Sequence, residues 1–241
     1  MLRCNERTAK IFYECPDNTI HSVGGEKGKY STRLKFPQPS PNLNVRWCSS
    51  YLKIDVCAAA IRNQERFNGL RTLVLSGERG EESKQRAGYA ILEPDKSDLR
   101  HGKKIVRYVD RYRPIRDWTE RRIWDLLEKY RVKPHPCYFM GFGRCSCKFC
   151  IFGNANQFAS AACISHQNFS QLVKFEKEFG YTLKRDTDLS TLIKKGVPYR
   201  DITPELARLA TSYQYNSDIF IPYSQQWELP AGAFKKCGGP M

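Results

Sequence analysis

The stretch GFGRCSCKFCIFGN, residues 141–154, places Cys145, Cys147 and Cys150 within six positions. Thiols this close together have three uses. They hold a metal ion or an iron–sulfur cluster, they form a dithiol redox pair, or they stay reduced and simply pack. Cys147 and Cys150 have the C-x-x-C spacing that brings two sulfurs to one metal ion, and zinc and iron–sulfur sites share it. One such pair is half a site. Cys145 is adjacent in sequence. Cys48 stands at the expected start of a helix, where the helix dipole favours a thiolate. Cys137, Cys163 and His166 are further donors. Cys4, Cys15, Cys57 and Cys237 read as bystanders, and His21, His101, His135 and His166 lack an H-x-x-x-H pairing and read as structural.

Two arginine-bearing stretches carry other chemistry. In SGERGEESKQR, residues 76–86, Arg79 and Arg86 can each fork onto a phosphate or sulfate, with Glu82 and Ser83 capping or orienting them. Gly77 would allow a tight turn after a strand, the place where open α/β sheets bind ligands. The plainer reading is a polar helix start. In RYVDRYRPIRDW, residues 107–118, Arg107, Arg111, Arg113 and Arg116 alternate with Tyr108, Tyr112 and Trp118. Basic and aromatic residues interleaved in this way contact nucleic-acid backbones and stack on bases. Alternatively, Ile115 and Trp118 are core and the arginines form a solvated edge.

Certain elements must position these groups. Residues 1–45 read as an irregular segment, with GGEKGKYSTRLKFPQPSPN as loop. A helix is expected from Ser49 or Ser50, with Leu52, Val56 and Ala59 or Ala60 on one face. Arg71 to Ser76 reads as a short buried strand and Ile105 to Val109 as another. DWTERRIWDLLEKY reads as a helix opened by an Asp117–Glu120 capping box. QNFSQLVKFEKEFG reads as an amphipathic helix stopped by Gly180. A third helix starts with Thr203 as N-cap and Pro204 at its first position. The expected division is an irregular segment 1–45, an α/β part 46–135, and a cysteine-cluster and helical part 136–241.

The chain has 241 residues and a formal net charge of +15. That charge favours a polyanionic partner, DNA, RNA or a phosphorylated nucleotide, over a neutral small molecule. No apolar run reaches membrane-spanning length and MLRCNERTAK lacks a signal-peptide core, so the expected location is cytoplasmic, with no membrane partner. Ten cysteines in a reducing compartment argue against a disulfide framework.

Four stretches, in order, resemble the phosphoadenosine phosphosulfate (PAPS) reductase family. RWCSSYLK (46–53) is similar to its Trp-Cys…Leu-Lys element, and SGERGEESKQR to its Gly-x-Arg-x-x-Glu-Ser…Arg element. RPIRDWTERRIWDLL (113–127) is similar to its Arg-Pro-Ile…Trp-Thr…Trp element. MGFGRCSCKFCIF (140–152) is similar to the Gly-Phe-x-Arg…Cys-x-x-Cys element of archaeal and phage-type members. The resemblance implies an α/β fold: a partial Rossmann-like sheet of the adenine nucleotide alpha-hydrolase-like type, flanking helices and a C-terminal cysteine-rich helical region. It also implies an iron–sulfur cluster of the 4Fe–4S type on Cys48, Cys147 and Cys150, with Cys145 as the fourth ligand. Zinc is the alternative metal. An adenine nucleotide would bind at Arg79, Glu82, Ser83 and Arg86, and the chemistry would be sulfur transfer or ATP pyrophosphatase. Relatives with such cysteine clusters include proteins that install sulfur into DNA or otherwise modify nucleic acids, which fits the charge. The competing function is a zinc-containing nucleic-acid-binding module without catalysis. The family's Ser-Gly-Gly-x-Asp-Ser phosphate loop has no counterpart, since SVGGEKGKYS (22–31) lacks both the preceding strand and the Asp-Ser. A second chain supplying that loop is therefore an expected partner. Cys237, in KKCGGPM, only partly matches the Glu-Cys-Gly tail of sulfonucleotide reductases.

Overall fold

The computed structural model describes residues 2–4, 11–14, 20–22, 35–40, 42–212 and 218–235. Two compact units divide the chain, Met1–Asp117 and Trp118–Met241. Among the described residues no helix is long and apolar enough to cross a membrane.

Unit 1 opens with an antiparallel meander of β1 (Leu2–Cys4), β2 (Ile11–Glu14) and β3 (Ile20–Ser22), in register at Leu2↔Tyr13 and Tyr13↔His21. Residues 1–45 are therefore not irregular throughout. Strands of three and four residues are too short for a period-two pattern to stand out. The segment 23–34, with the paired glycines, lies outside the described residues.

A continuous helical run follows: α1 (Trp47–Ser49), a π-helical turn (Ser50–Ile54) and α2 (Asp55–Arg62). It starts just ahead of the expected serines. Ala58, Ala59 and Ile61 of α2 are buried. Asp55, at the junction, accepts from Ser50 Oγ at 2.7 Å and pairs with Lys96 at 2.7 Å.

The second sheet has the order β4–β6–β5, with β4 at Arg71–Leu75, β5 at Leu92–Pro94 and β6 at Tyr108–Tyr112. β4 runs parallel to β6, with Leu73 opposite Asp110, and β5 runs antiparallel to it, with Leu92 opposite Tyr112. This is a mixed α/β arrangement: a small three-stranded sheet with flanking helices, the partial Rossmann-like class expected. Val109 is fully buried at its centre. Two strand expectations need correction. β6 begins at Tyr108, because the Arg107 backbone is engaged with Leu99 in an isolated bridge. β4 is half-exposed rather than buried, since its side chains alternate between open and partly covered.

Unit 2 is helical among its described residues: α4 (Glu120–Lys129), α5 (Pro136–Phe139), α6 (Ala155–Ile164), α7 (His166–Phe179), α8 (Leu189–Lys194) and α9 (Pro204–Thr211). Thr119, not Asp117, caps α4, and its hydroxyl accepts from the Arg122 N–H at 3.3 Å. Asp117 pairs with Arg116 instead. Gly180 ends α7 with φ +66, and Thr203 and Pro204 open α9 as expected. α6 is buried on most sides, from Gln157 through Ala162, and opens with an Asn154–Gln157 capping box. A helix apolar on several faces leaves no stripe to read. Glu176 of α7, also buried, accepts from the backbone N–H groups of Leu183 (2.8 Å) and Leu189 (2.9 Å), tying the start of α8 to α7.

Candidate metal centre and anion-binding element

The cysteine stretch folds as a loop between α5 and α6, and its aromatic residue anchors it. Phe149 lies between the two buried rings of Phe158 in α6 and Phe169 in α7, with centroids 5.9 Å away in each case. With Phe149 seated against these rings, Cys147 and Cys150 line a cavity of about 70 Å³. A tight turn closes behind them, where the Gly153 N–H donates to Cys150 O at 2.7 Å. Lys184 holds that turn: its ammonium donates to Ile151 O (2.6 Å) and Gly153 O and sits 5.0 Å over the Phe158 ring.

The opposite wall comes from the start of α5. His135 is the N-cap, and its Nδ1 accepts the Cys137 N–H at 3.2 Å. Trp124 of α4 packs edge-on against Tyr138, centroids 5.3 Å apart, and the Tyr138 hydroxyl accepts the Cys145 N–H at 3.2 Å. This relay positions Cys145 against α5. As a result one ligand atom each from His135, Cys137 and Cys145 lies within 4.8 Å of the others. Cys147 and Cys150 line the same cavity, with Arg144 and Lys148.

The electrostatics suit a cation between these donors. The Cys137 thiol is pushed far above the ordinary thiol range, first by its hydrogen bond with Cys145 and then by burial. Protein atoms packed around His135 lower its pKa, although its outer edge is exposed, so the neutral ring, with its Nδ1 lone pair on the Cys137 N–H, persists to lower pH. That lone pair is at Nδ1, so a metal bound there would take it from the helix cap. Ligand atoms on one tetrahedral ion at Zn–S distances of about 2.3 Å lie roughly 4 Å apart. The trio, all within 4.8 Å of one another, is compatible with that spacing.

Of the expected metal ligands, Cys145, Cys147 and Cys150 come together at this cavity. Cys48 belongs to unit 1, half-buried in α1. His135, read as structural, joins the cluster, and Cys137, a secondary candidate, is central to it. The available signal was the His-x-Cys spacing at 135–137, seven residues ahead of CSCKFC. Cys163 is exposed on α6, and neither it nor His166 belongs to the group.

In unit 1 the SGERGEESKQR stretch forms a compact Arg–Glu–Arg arrangement. Glu82 bridges Arg79 (3.5 Å) and Arg86, and Arg79 also pairs with Glu81 at 2.6 Å. Ser83 caps α3 (Lys84–Ala87), accepting from the Arg86 N–H at 3.3 Å. The tight turn depends on Gly80, not Gly77. A Cβ at Gly80 would come 3.2 Å from the Ala87 backbone, whereas one at Gly77 would meet only Ile115 at 3.8 Å.

The four arginines of 107–116 are engaged inside unit 1. Arg107, 4% exposed, donates to Ser97 O (3.1 Å) and Asn68 Oδ1 (2.9 Å). Arg113, also 4% exposed, donates to Glu78, Glu93 and Ala90 O at 2.6–2.7 Å and lies over Tyr89. Arg111 pairs with the buried Asp95 at 2.5 Å, and Arg116 donates to Ala87 O at 2.8 Å. Arg107 and Arg113 are too deep to reach a nucleic-acid phosphate. They hold β5, β6 and the post-β4 turn together.

The model of the phosphoadenosine phosphosulfate reductase domain matches residues 24–152, just over half of the chain. The chain belongs to this family. The match contains the Arg79–Arg86 element and ends two residues past Cys150, so it takes in the whole cysteine cluster. Over 141 residues, 57% of its length, this PAPS reductase family chain is 26% identical to an uncharacterized 37.8 kDa protein in the gpa 5′ region of Escherichia phage 186. The match covers only 39% of that relative. No solved structure matches the chain.

Proposed function

We propose that this PAPS reductase family protein carries a thiolate metal centre in unit 2, on Cys137, Cys145 and His135, and takes an anionic group of a nucleotide at Arg79 and Arg86 in unit 1. The convergence of three metal-ligating atoms within 4.8 Å carries the reading. The spacing suits a single ion of the zinc type. An iron–sulfur cluster is the second reading, supported by Cys147 and Cys150, which bring the thiols of the cavity to four. A cluster attaches its ligands to different irons and would need the sulfurs further apart. By family analogy the chemistry is sulfur transfer or phosphoanhydride cleavage on an anionic nucleotide. In unit 1, Glu82 holds the two guanidiniums side by side, and an incoming phosphate or sulfate would compete for them.

The test is anaerobic purification followed by metal and sulfide analysis, with an absorption spectrum. One zinc per chain in a colourless preparation supports the single ion. Iron and sulfide in near-equal amounts, with absorbance near roughly 400 nm, support the cluster. In either case Cys137→Ser and Cys145→Ser should lose the metal, whereas Cys163→Ser should keep it. Metal retained by both of the first two variants, or wild type that takes up neither zinc nor iron, defeats the proposal.

A further inference from the structure

The side chains of the β4–β6–β5 sheet divide cleanly between its faces. Val74, Val109 and Asp95 lie on the covered side. The other face presents Leu73 (55% exposed), Leu75 (66%) and Leu92 (59%), with Tyr108 and Tyr112 also exposed. Leu70, Ile91 and Ile105 are exposed at its margins. Parallel strands occur almost only where both faces of a sheet are covered, yet among the described residues the parallel pair β4–β6 has one open face. β4 is also an edge strand in this sheet. Proteins blunt an open edge with proline, lysine or a bulge. RTLVL has none of these, only Arg71 at its start.

The charge indicates what covers this face. A second copy would bring two +15 chains together. Locally, Arg71 is exposed on the face itself; Lys103 and Lys104 are exposed in the segment that leads into β6, while exposed Arg66 has exposed Glu65 beside it. The acidic residue on that face, Asp110, is already held by Arg100 at 2.6 Å. An apolar face that carries Arg71, on a chain of net charge +15, fits a partner of opposite charge.

We propose that this face and the outer edge of β4 are a docking surface for a second protein, which adds an extended acidic segment beside β4. Backbone groups of that segment pair with the β4 edge, its apolar side chains cover Leu73 and Leu75, and its carboxylates meet Arg71. The proposal is independent of the metal centre, so either can fail without the other.

The probe is a synthetic, fluorescently labelled peptide of about ten residues alternating valine and glutamate, titrated into the full chain. Saturable binding is expected, with protection of β4 amides from hydrogen exchange. Leu73→Ser/Leu75→Ser should weaken binding by about tenfold or more, as should Arg71→Glu. Both variants alter exposed positions, and unchanged circular dichroism will verify that they fold. A valine–lysine peptide should not bind. Four results would overturn the proposal: no binding, equal binding to the leucine double variant, equal binding of the lysine peptide, or a wild-type dimer in sedimentation that the double variant dissociates. The last would assign the face to self-association.

Discussion

Lys184 offers a quantitative test of how the cysteine loop is held. Its ammonium donates to Ile151 O and Gly153 O, the first carbonyls of the turn behind Cys150, while resting on Phe158. Lys184→Met keeps most of the aliphatic packing and removes both bonds. Hydrogen bonds from a charged donor contribute about 1.5–3 kcal/mol each. Relief of the ammonium's burial offsets part of that sum, which leaves a net loss of about 2–4 kcal/mol. For a chain of this size the thermal midpoint of the transition reporting unit 2 should fall by roughly 5–12 °C. Lys184→Arg, which can still donate to two carbonyls, should recover part of the loss. The second readout is metal affinity by chelator competition. A loosened turn frees the loop that carries Cys145 as well as Cys147 and Cys150, so Lys184→Met should bind metal more weakly even though Lys184 is no ligand. If Lys184→Met melts with wild type and binds metal equally well, the turn is held by Phe149 alone and the reasoning fails.

Two further predictions concern unit 1. Hydrogen bonds from Arg100, then from the Val109 and Arg100 backbone N–H groups, depress the Asp98 pKa to about 2. A depressed carboxylate contributes stability above its unfolded value, and that stability is lost as pH falls through the folded value. Asp98→Asn should therefore cost up to about 2 kcal/mol at neutral pH, after allowing for solvent screening. The difference from wild type should vanish between roughly pH 4 and pH 2 in urea titrations, and a pH-independent difference would contradict the assignment. Arg113→Lys, unable to fork onto Glu78, Glu93 and Ala90 O together, should lower stability by about 2 kcal/mol. An unchanged urea midpoint would show that those bonds are replaceable.

The parts of the molecule legible in the sequence are those where one local rule acts alone. Thr203–Pro204 and Gly180 are backbone devices, and they appear where expected. The C-x-x-C pair also leads to the right loop. Its partners were harder to find, because α5 spans only four residues and offers no periodicity. His135 enters the cluster because it caps that short helix, and Cys145 because Tyr138, wedged by Trp124, holds its backbone. Neither cause is local in sequence. The arginines of 107–116 show the opposite difficulty. Charge alternating with aromatics suggests an outer face, but acceptors distant in sequence, Asn68 for Arg107, Asp95 for Arg111 and Glu78 for Arg113, hold them inside unit 1.

The misreading of β4 is the most informative. RTLVL reads as a buried strand because an uninterrupted apolar run is how a strand covered on both faces is written. The structure covers one face and leaves Leu73 and Leu75 open on the other. Single exposed leucines need no explanation, but here two on one edge strand adjoin Leu92, Tyr108 and Tyr112 across the sheet. The sequence thus describes a sheet with a second layer, and the described residues supply only the first. The apolar pattern and the exposure agree once the missing layer is a partner of opposite charge, and the acidic-strand experiment decides whether it is.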